Sequence, residues 1–251
     1  MFGLPNIRGS CWVNTALQGL FSCPSFKDRT IATENEIDVL LDVVQRSEGR
    51  DRLSDLFRAI QTSSIPAGVN IGDTHELIVH LCDKVSWLDQ QFRFKVANEL
   101  TCTTCNTKEL REDSVIELTL SVKERHTSIL NALQEFIKPI QIEGRDCDVC
   151  KEKKTAISRV LLGTFPKILM IHRAALSQSI EYSSILVLNQ RKYALFSVLC
   201  YNGAHWWTFA RHLPPGNAWF EIDDNRVRQM TATQFPVADA MRILLYFLME
   251  D

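Results

Sequence analysis

The sequence predicts an α+β fold in which helices come first and a sheet follows. Two patterns carry that reading. Apolar residues recur at helical spacing up to about Leu88, and short β-branched or aromatic runs bounded by turn residues fill most of the remainder. A third observation sets the scale. The 251 residues, 45% hydrophobic and 23% charged, suit one large domain or two small ones with a core that needs no disulfide.

The first helix begins at Cys11, where CWVNTALQGLFS sets Val13, Leu17, Leu20 and Phe21 on one face before Pro24 closes the segment. The second covers 36–46 and aligns Ile37, Leu40, Leu41 and Val44. The third covers 52–61, with Leu53, Leu56, Phe57 and Ile60 inward. SSIPAGVNIGD reads as a loop, and Asp73 as the N-cap of a helix over THELIVHLCDKV. Residues 92–96 alternate, and VIELTLSV at 115–122 has the period of a half-buried strand. Helix returns at 129–136. Strands are then expected at 157–162, 168–172, 184–188, 193–201, 206–210 and 219–222. RILLYFLM near the end fits helix or strand equally by periodicity alone.

A formal net charge of −2 lacks the basic excess that neutralises phosphates, so no nucleic-acid partner is expected. The first ten residues hold no apolar signal-peptide region, and the apolar run at 243–249 is too short to span a bilayer. The expectation is an intracellular chain of cytoplasm or nucleus, monomeric, with no membrane partner. In a reducing compartment cysteines serve as metal ligands or nucleophiles rather than bridges.

Four of the eight cysteines form two CxxC pairs, Cys102 with Cys105 and Cys147 with Cys150. Each pair can hold two thiolates on one side of a tight turn, and two such turns supply four sulfurs to a tetrahedral ion. The competing reading is an accidental pair of exposed or redox-active thiols. Two pairs flanked by polar residues favour one structural Zn²⁺, closed to water by its four sulfurs and taking no part in chemistry.

Cys11 sits where a helix begins, and the N–H groups and partial positive charge there favour thiolate over thiol. Asn6, five residues earlier, could donate its amide to a developing oxyanion. By itself a cysteine after Gly-Ser is more often a buried structural residue than a nucleophile. A thiol nucleophile needs a base and an orienter. Of the six histidines, His205 stands at the mouth of a glycine-containing turn before an aromatic strand, in NGAHWWTF. WFEIDDN ends a second strand with Asp223, Asp224 and Asn225, so two neighbouring strands joined by the PPGN loop would set His205 beside Asp223. A surface histidine and a solvated acidic turn fit that spacing as well.

These segments together resemble the ubiquitin-specific protease family of deubiquitinases. GLPNIRGSCWVNTALQGL is similar to the family's cysteine box, GDTHELIVHL to its Gln-Asp-Ala-x-Glu-Phe box, and YALFSVLCYNGAHWWTFAR with WFEIDDNRV to its histidine and aspartate boxes. The CxxC pairs with SVIELTLSV and ILNALQEFI resemble its zinc-bearing fingers, TAISRVLLGTFPKILMIHR its passage into the palm, and RILLYFLM its last strand. The matches keep the family's order over nearly the whole chain. The resemblance implies a papain-like cysteine protease fold within one catalytic domain, 1–251. Roughly 1–90 would be a helical thumb, 91–122 and 140–162 the zinc-ribbon fingers, and the remainder a β-sheet palm.

Carried over by position, the resemblance implies Cys11 as nucleophile, His205 as general base, Asp223 as its orienter and Asn6 as oxyanion donor. It places Asp73 and Glu76 opposite the arginine-bearing tail of ubiquitin, with Trp12, Ala204 and Trp206 beside the tail channel. The implied reaction is hydrolysis of the isopeptide bond at the C-terminal glycine of ubiquitin or a ubiquitin-like modifier, the interferon-induced one included. Two other readings are a binding scaffold of the same fold without catalysis, and a papain-type peptidase of general specificity. The retained residues argue against the first, and the fingers against the second. Departures from the family pattern are Arg8 and Gly9 where one glycine is usual, Ser10 for threonine, Trp12 and Trp206 for tyrosines, Ala204 for glycine, and Arg173-Ala174-Ala175 for Lys-Arg-Phe. With short loops over the tail and about ten residues before Cys11, the chain reads as a minimal core, as in a compact viral or parasite enzyme or an excised domain.

Overall fold

The computed structural model describes residues 1–26, 29–31, 35–63, 72–121, 126–174, 179–213, 218–231 and 240–249. The expected loops SSIPAGVNIGD and PPGN fall largely or wholly outside these residues, as do Val122 and Ala175. Helix α1 (Cys11–Phe21) is buried along all of its length and forms the centre of the helical layer. Its polar members Asn14, Thr15 and Gln18 are therefore inside, and the Asn14 and Gln18 amides donate to acceptors outside the helix. Around it lie α2 (Glu36–Arg46), α3 (Leu53–Ser63) and α4 (Thr74–Lys84); α2 and α3 bury the apolar stripes read from the sequence, and α4 buries Leu77, Ile78, Leu81 and Cys82. Asn35 caps α2 and Asp73 caps α4, each accepting from a backbone N–H of the first turn. A further helix, α5 (Ser86–Phe92), was not expected. Its seven residues bury only Leu88 and Phe92, too little to show a period.

Strands β1 (Phe94–Cys102) and β2 (Lys108–Val115) form a hairpin, as do β5 (Ile140–Asp146) and β6 (Lys153–Leu162). They combine into a four-stranded sheet of order β2-β1-β6-β5. The strand expected at 115–122 is broken at Ile116: Val115 ends β2, while β3 (Glu117–Leu120) leaves for the larger sheet. Residues 117–120 thus pair with the larger sheet rather than with the four-stranded one. Between these come β4 (His126–Ser128) and α6 (Ile129–Ile137).

The larger sheet holds β7 (Ile168–Arg173), β9 (Ile185–Leu188), β10 (Arg191–Tyr201), β11 (Trp206–Ala210), β12 (Phe220–Asp223), β13 (Arg226–Gln229) and β14 (Met241–Leu248) as well as β3. Its order is β13-β12-β11-β10-β14-β7-β3, with β9 against the first half of β10. The short β8 (Ser179–Glu181) pairs with β4 apart from it. RILLYFLM is strand, because β14 lies mid-sheet between β7 and β10 with both faces covered. Ile243 and Leu245 join the core under the helices, and Leu244 and Tyr246 the core on the opposite face.

Candidate active site

The chain enters α1 through a tight loop in which Arg8 and Gly9 have φ of +52° and +85°. The loop is held from inside by Asn6, whose Oδ1 accepts from Gly9 N at 2.9 Å and Ser10 N at 3.0 Å. Ser10 Oγ accepts from Ile7 N at 2.8 Å. This fixes Cys11 as the first residue of α1, 4% exposed, with its own N–H among those that lack an intrahelical acceptor. Cys11 Sγ makes no hydrogen bond among the described residues.

His205 is placed by a second turn. Asn202 Oδ1 accepts from the N–H groups of Ala204 and His205 at 3.0 and 2.9 Å, and Gly203 supplies φ of +100°. β11 then pairs with β12 in the register Thr208↔Ile222 and Ala210↔Phe220. That register sets His205 Nε2 2.6 Å from Asp223 Oδ1. α1 rests on this strand, with Thr208 Oγ1 donating to Thr15 O at 3.0 Å.

The adjacent aspartates divide their work. Asp223 closes β12 and faces His205, whereas Asp224, at φ of +52°, turns to the N-terminal segment. Its Oδ2 accepts from Asn6 Nδ2 at 2.8 Å and its Oδ1 from Asn14 Nδ2 at 2.7 Å. Its backbone oxygen accepts from Leu4 N at 3.0 Å and Gln18 Nε2 at 2.9 Å. Asn6 is thereby tied at both ends of its amide, with one N–H left to donate. The sequence left the shares of Asp223 and Asp224 open and assigned nothing to Asn14 or Gln18.

The residues expected along the tail channel part into two groups. Asp73 is half-buried at the start of α4, while Glu76 and Ala204 are exposed. The N-terminus of α4 adjoins that of α1, since Thr74 Oγ1 donates to Trp12 O at 2.9 Å. Trp12 and Trp206, by contrast, are interior at 1% and 3% exposure. Trp12 packs edge-on to Phe57, and Trp206 stacks on Tyr201 with centroids 4.6 Å apart. Both indoles are thus packed within the core, one on the helix and one on the strand.

At the far end of the four-stranded sheet, Cys102, Cys105, Cys147 and Cys150 bring their sulfurs within 4.8 Å of one another. Cys102 lies 3.9 Å from Cys150, and Cys105 3.7 Å from Cys147. Zn–S bonds of about 2.3 Å in a tetrahedron require sulfurs about 3.8 Å apart, so the four fit one zinc ion. Both turns are built alike. Asn106 N donates to Cys102 O and Lys151 N to Cys147 O, each at 2.9 Å, and Asn106 and Lys151 both adopt positive φ. Bonds from the Thr107 hydroxyl and amide draw the Cys105 thiol down to about 6. At Cys150 the Glu152 amide pulls the same way, but desolvation and the other three sulfurs push the thiol up to about 11. Four sulfurs converge on one point, where a divalent cation would stabilise them as thiolates.

Comparison with known proteins bears on the fold and the family. At 16% identity and a TM-score of 0.86, the whole chain superposes on 69% of a solved chain in the SAGA DUB module of Ubp8, Sgf11, Sus1 and Sgf73 bound to monoubiquitin. The same module bound to ubiquitin aldehyde gives 17% and 0.80. Ubiquitin carboxyl-terminal hydrolase 47 of Drosophila melanogaster is 24% identical over 75% of this chain, and ubiquitin carboxyl-terminal hydrolase 4 of Arabidopsis thaliana 22% over 68%. The chain spans 14% of the first relative's length and 63% of the second's. The family described as ubiquitin carboxyl-terminal hydrolase matches residues 2–246, so the chain belongs to the ubiquitin carboxyl-terminal hydrolase family.

Proposed function

We propose that this chain is a thiol protease that hydrolyses the isopeptide bond at the C-terminal glycine of ubiquitin. The observation that carries the reading is the His205 Nε2–Asp223 Oδ1 contact of 2.6 Å, on strands against which a helix beginning with Cys11 is seated. With Nε2–H donating to the carboxylate, Nδ1 is the nitrogen left to exchange a proton with the Cys11 thiol. Thiolate Sγ attacks the glycine carbonyl carbon, and the oxyanion takes the free Asn6 N–H and the Cys11 N–H. Protonated His205 returns its proton to the lysine amine as the C–N bond breaks. Water, deprotonated by the same imidazole, then cleaves the thioester. Asp73 and Glu76 supply the negative charge that an arginine-bearing tail needs. Cys102, Cys105, Cys147 and Cys150 would hold one zinc ion, which fastens two hairpin tips and has no position open for chemistry.

The test is labelling with a ubiquitin probe that carries a C-terminal thiol-reactive group, beside a matching probe built on the interferon-induced ubiquitin-like modifier. Wild type should form a covalent adduct with the ubiquitin probe, and Cys11→Ala none. Stronger labelling by the second probe would transfer the reading to that modifier. Ubiquitin binding without any adduct would replace it with a non-catalytic scaffold.

A further inference from the structure

We propose that His75, Glu117 and His172 form a second metal site, one that takes a zinc-type divalent cation through two imidazole nitrogens and a carboxylate oxygen. The three residues come from different elements, the first turn of α4, the start of β3 and the end of β7. β3 and β7 run parallel with Glu117 opposite Met170 and Thr119 opposite His172, so Glu117 and His172 stand one side-chain step apart on neighbouring strands. His75 closes the set from above, its ring stacked on that of His172 at 4.0 Å and 13°. One donor atom from each residue lies within 4.8 Å of the other two.

Two further details point to a ligand. His172 Nδ1 is shielded from solvent and has no hydrogen-bond partner among the described residues, a state that costs free energy unless something occupies the lone pair or N–H. Glu117 is also held for the purpose: Thr119 Oγ1 donates to its Oε1 at 2.9 Å, leaving Oε2 on His75 Nε2 at 2.5 Å. A bond from an outer residue to a ligating carboxylate is the usual support of a metal site. Glu117 and Asp73 act on both imidazoles and Glu76 on His75, while the Arg242 guanidinium acts on His172 in the opposite sense, a balance of carboxylates that suits a cation.

Zinc accepts two histidines and one carboxylate with water in the fourth position. The stacked rings set their lone pairs side by side, so capture requires one imidazole to turn about Cβ–Cγ, a broad and shallow torsion. The ion replaces the proton shared by His75 and Glu117, which is released to solvent. A bound ion would fasten α4 to the large sheet.

Cobalt(II) separates this site from the cysteine cluster, because only thiolate ligation gives an intense sulfur-to-cobalt charge-transfer band. The full chain is dialysed against buffered Co²⁺ and its metal content and absorption are measured. Wild type should take up two equivalents, one with the thiolate band and one without it. His172→Gln and Glu117→Gln should each lose the second equivalent and keep the first, which also reports that the variant has folded. The proposal is overturned if wild type binds no equivalent free of the thiolate band, a result that does not depend on any variant. It is overturned equally if both variants keep that equivalent.

Discussion

Asp224 is the residue on which the loop before Cys11 and the turn after β12 meet, through Asn6, Asn14, Gln18 and the Leu4 N–H. Its role is to position Asn6. Removing the carboxylate in Asp224→Ala leaves the Asn6 amide held through its Oδ1 alone, and the loosening of a preorganised oxyanion donor would cost up to about 10²–10³ in kcat. Asp224→Asn tolerates the left-handed backbone and keeps one acceptor oxygen, so its loss should be smaller. Hydrolysis of a fluorogenic ubiquitin C-terminal amide reads both. A fall in kcat with KM little changed fits an interaction made in the transition state, whereas a rise in KM alone would show that Asp224 only shapes the binding surface. Cys11, His205 and Asp223 stood out in the sequence as reactive types beside a turn or helix start, but it was the resemblance that gave them their proposed roles. Asn14 was not legible in its role, since its carboxylate partner lies 210 residues away and nothing local marks the pair.

The four-stranded sheet can hold itself only weakly by burial. Among its residues Phe94, Val96, Ala97 and Ala156 are buried, and all but Ala156 lie at the end near the large sheet. Leu110, Ile140 and Val149 stand 56%, 59% and 65% exposed toward the cysteine end. A structural zinc contributes folding free energy outright, and one held by the four cysteines would stand in for the missing core. Chelation, or Cys147→Ser, should therefore abolish amide-exchange protection along β1, β2, β5 and β6 while leaving α1 and β10 protected. Exchange that stays slow in all four strands would mean that backbone pairing alone suffices. The same thin burial explains what the sequence hid. KELREDSV in β2, IQIEGRD in β5 and RVRQ in β13 bury no residue fully and hold at most two apolar side chains each, too few to announce a strand. The helices α2, α3 and α4 each lie one face on a core, and their periodicity was plain.

At the scale of the whole molecule the site depends on bringing the first residues of the chain onto a turn more than two hundred residues later. The large sheet is covered by helices on one side and by a second core, with α6, on the other, which fixes α1 against β10, β11 and β12. Position 3 then decides how closely the N-terminal segment can lie on the β12–β13 turn. A Cβ at Gly3 would stand 2.5 Å from Asn225 O and 2.6 Å from its C and Cα atoms, distances that only a backbone shift can relieve. The shift would move the Asp223-Asp224 turn relative to Asn6 and Cys11, while the two cores stay as they are. Misplacement of about 1 Å at a reacting centre can cost about 10²-fold. Gly3→Ala should therefore slow labelling of Cys11 by the ubiquitin probe roughly 10- to 100-fold, with a thermal midpoint near that of wild type. Labelling at the wild-type rate would mean that the turn yields without carrying the aspartates with it. A lowered midpoint with matching loss of rate would place the role of Gly3 in folding, and the alignment of the site would then rest on Asp224 alone.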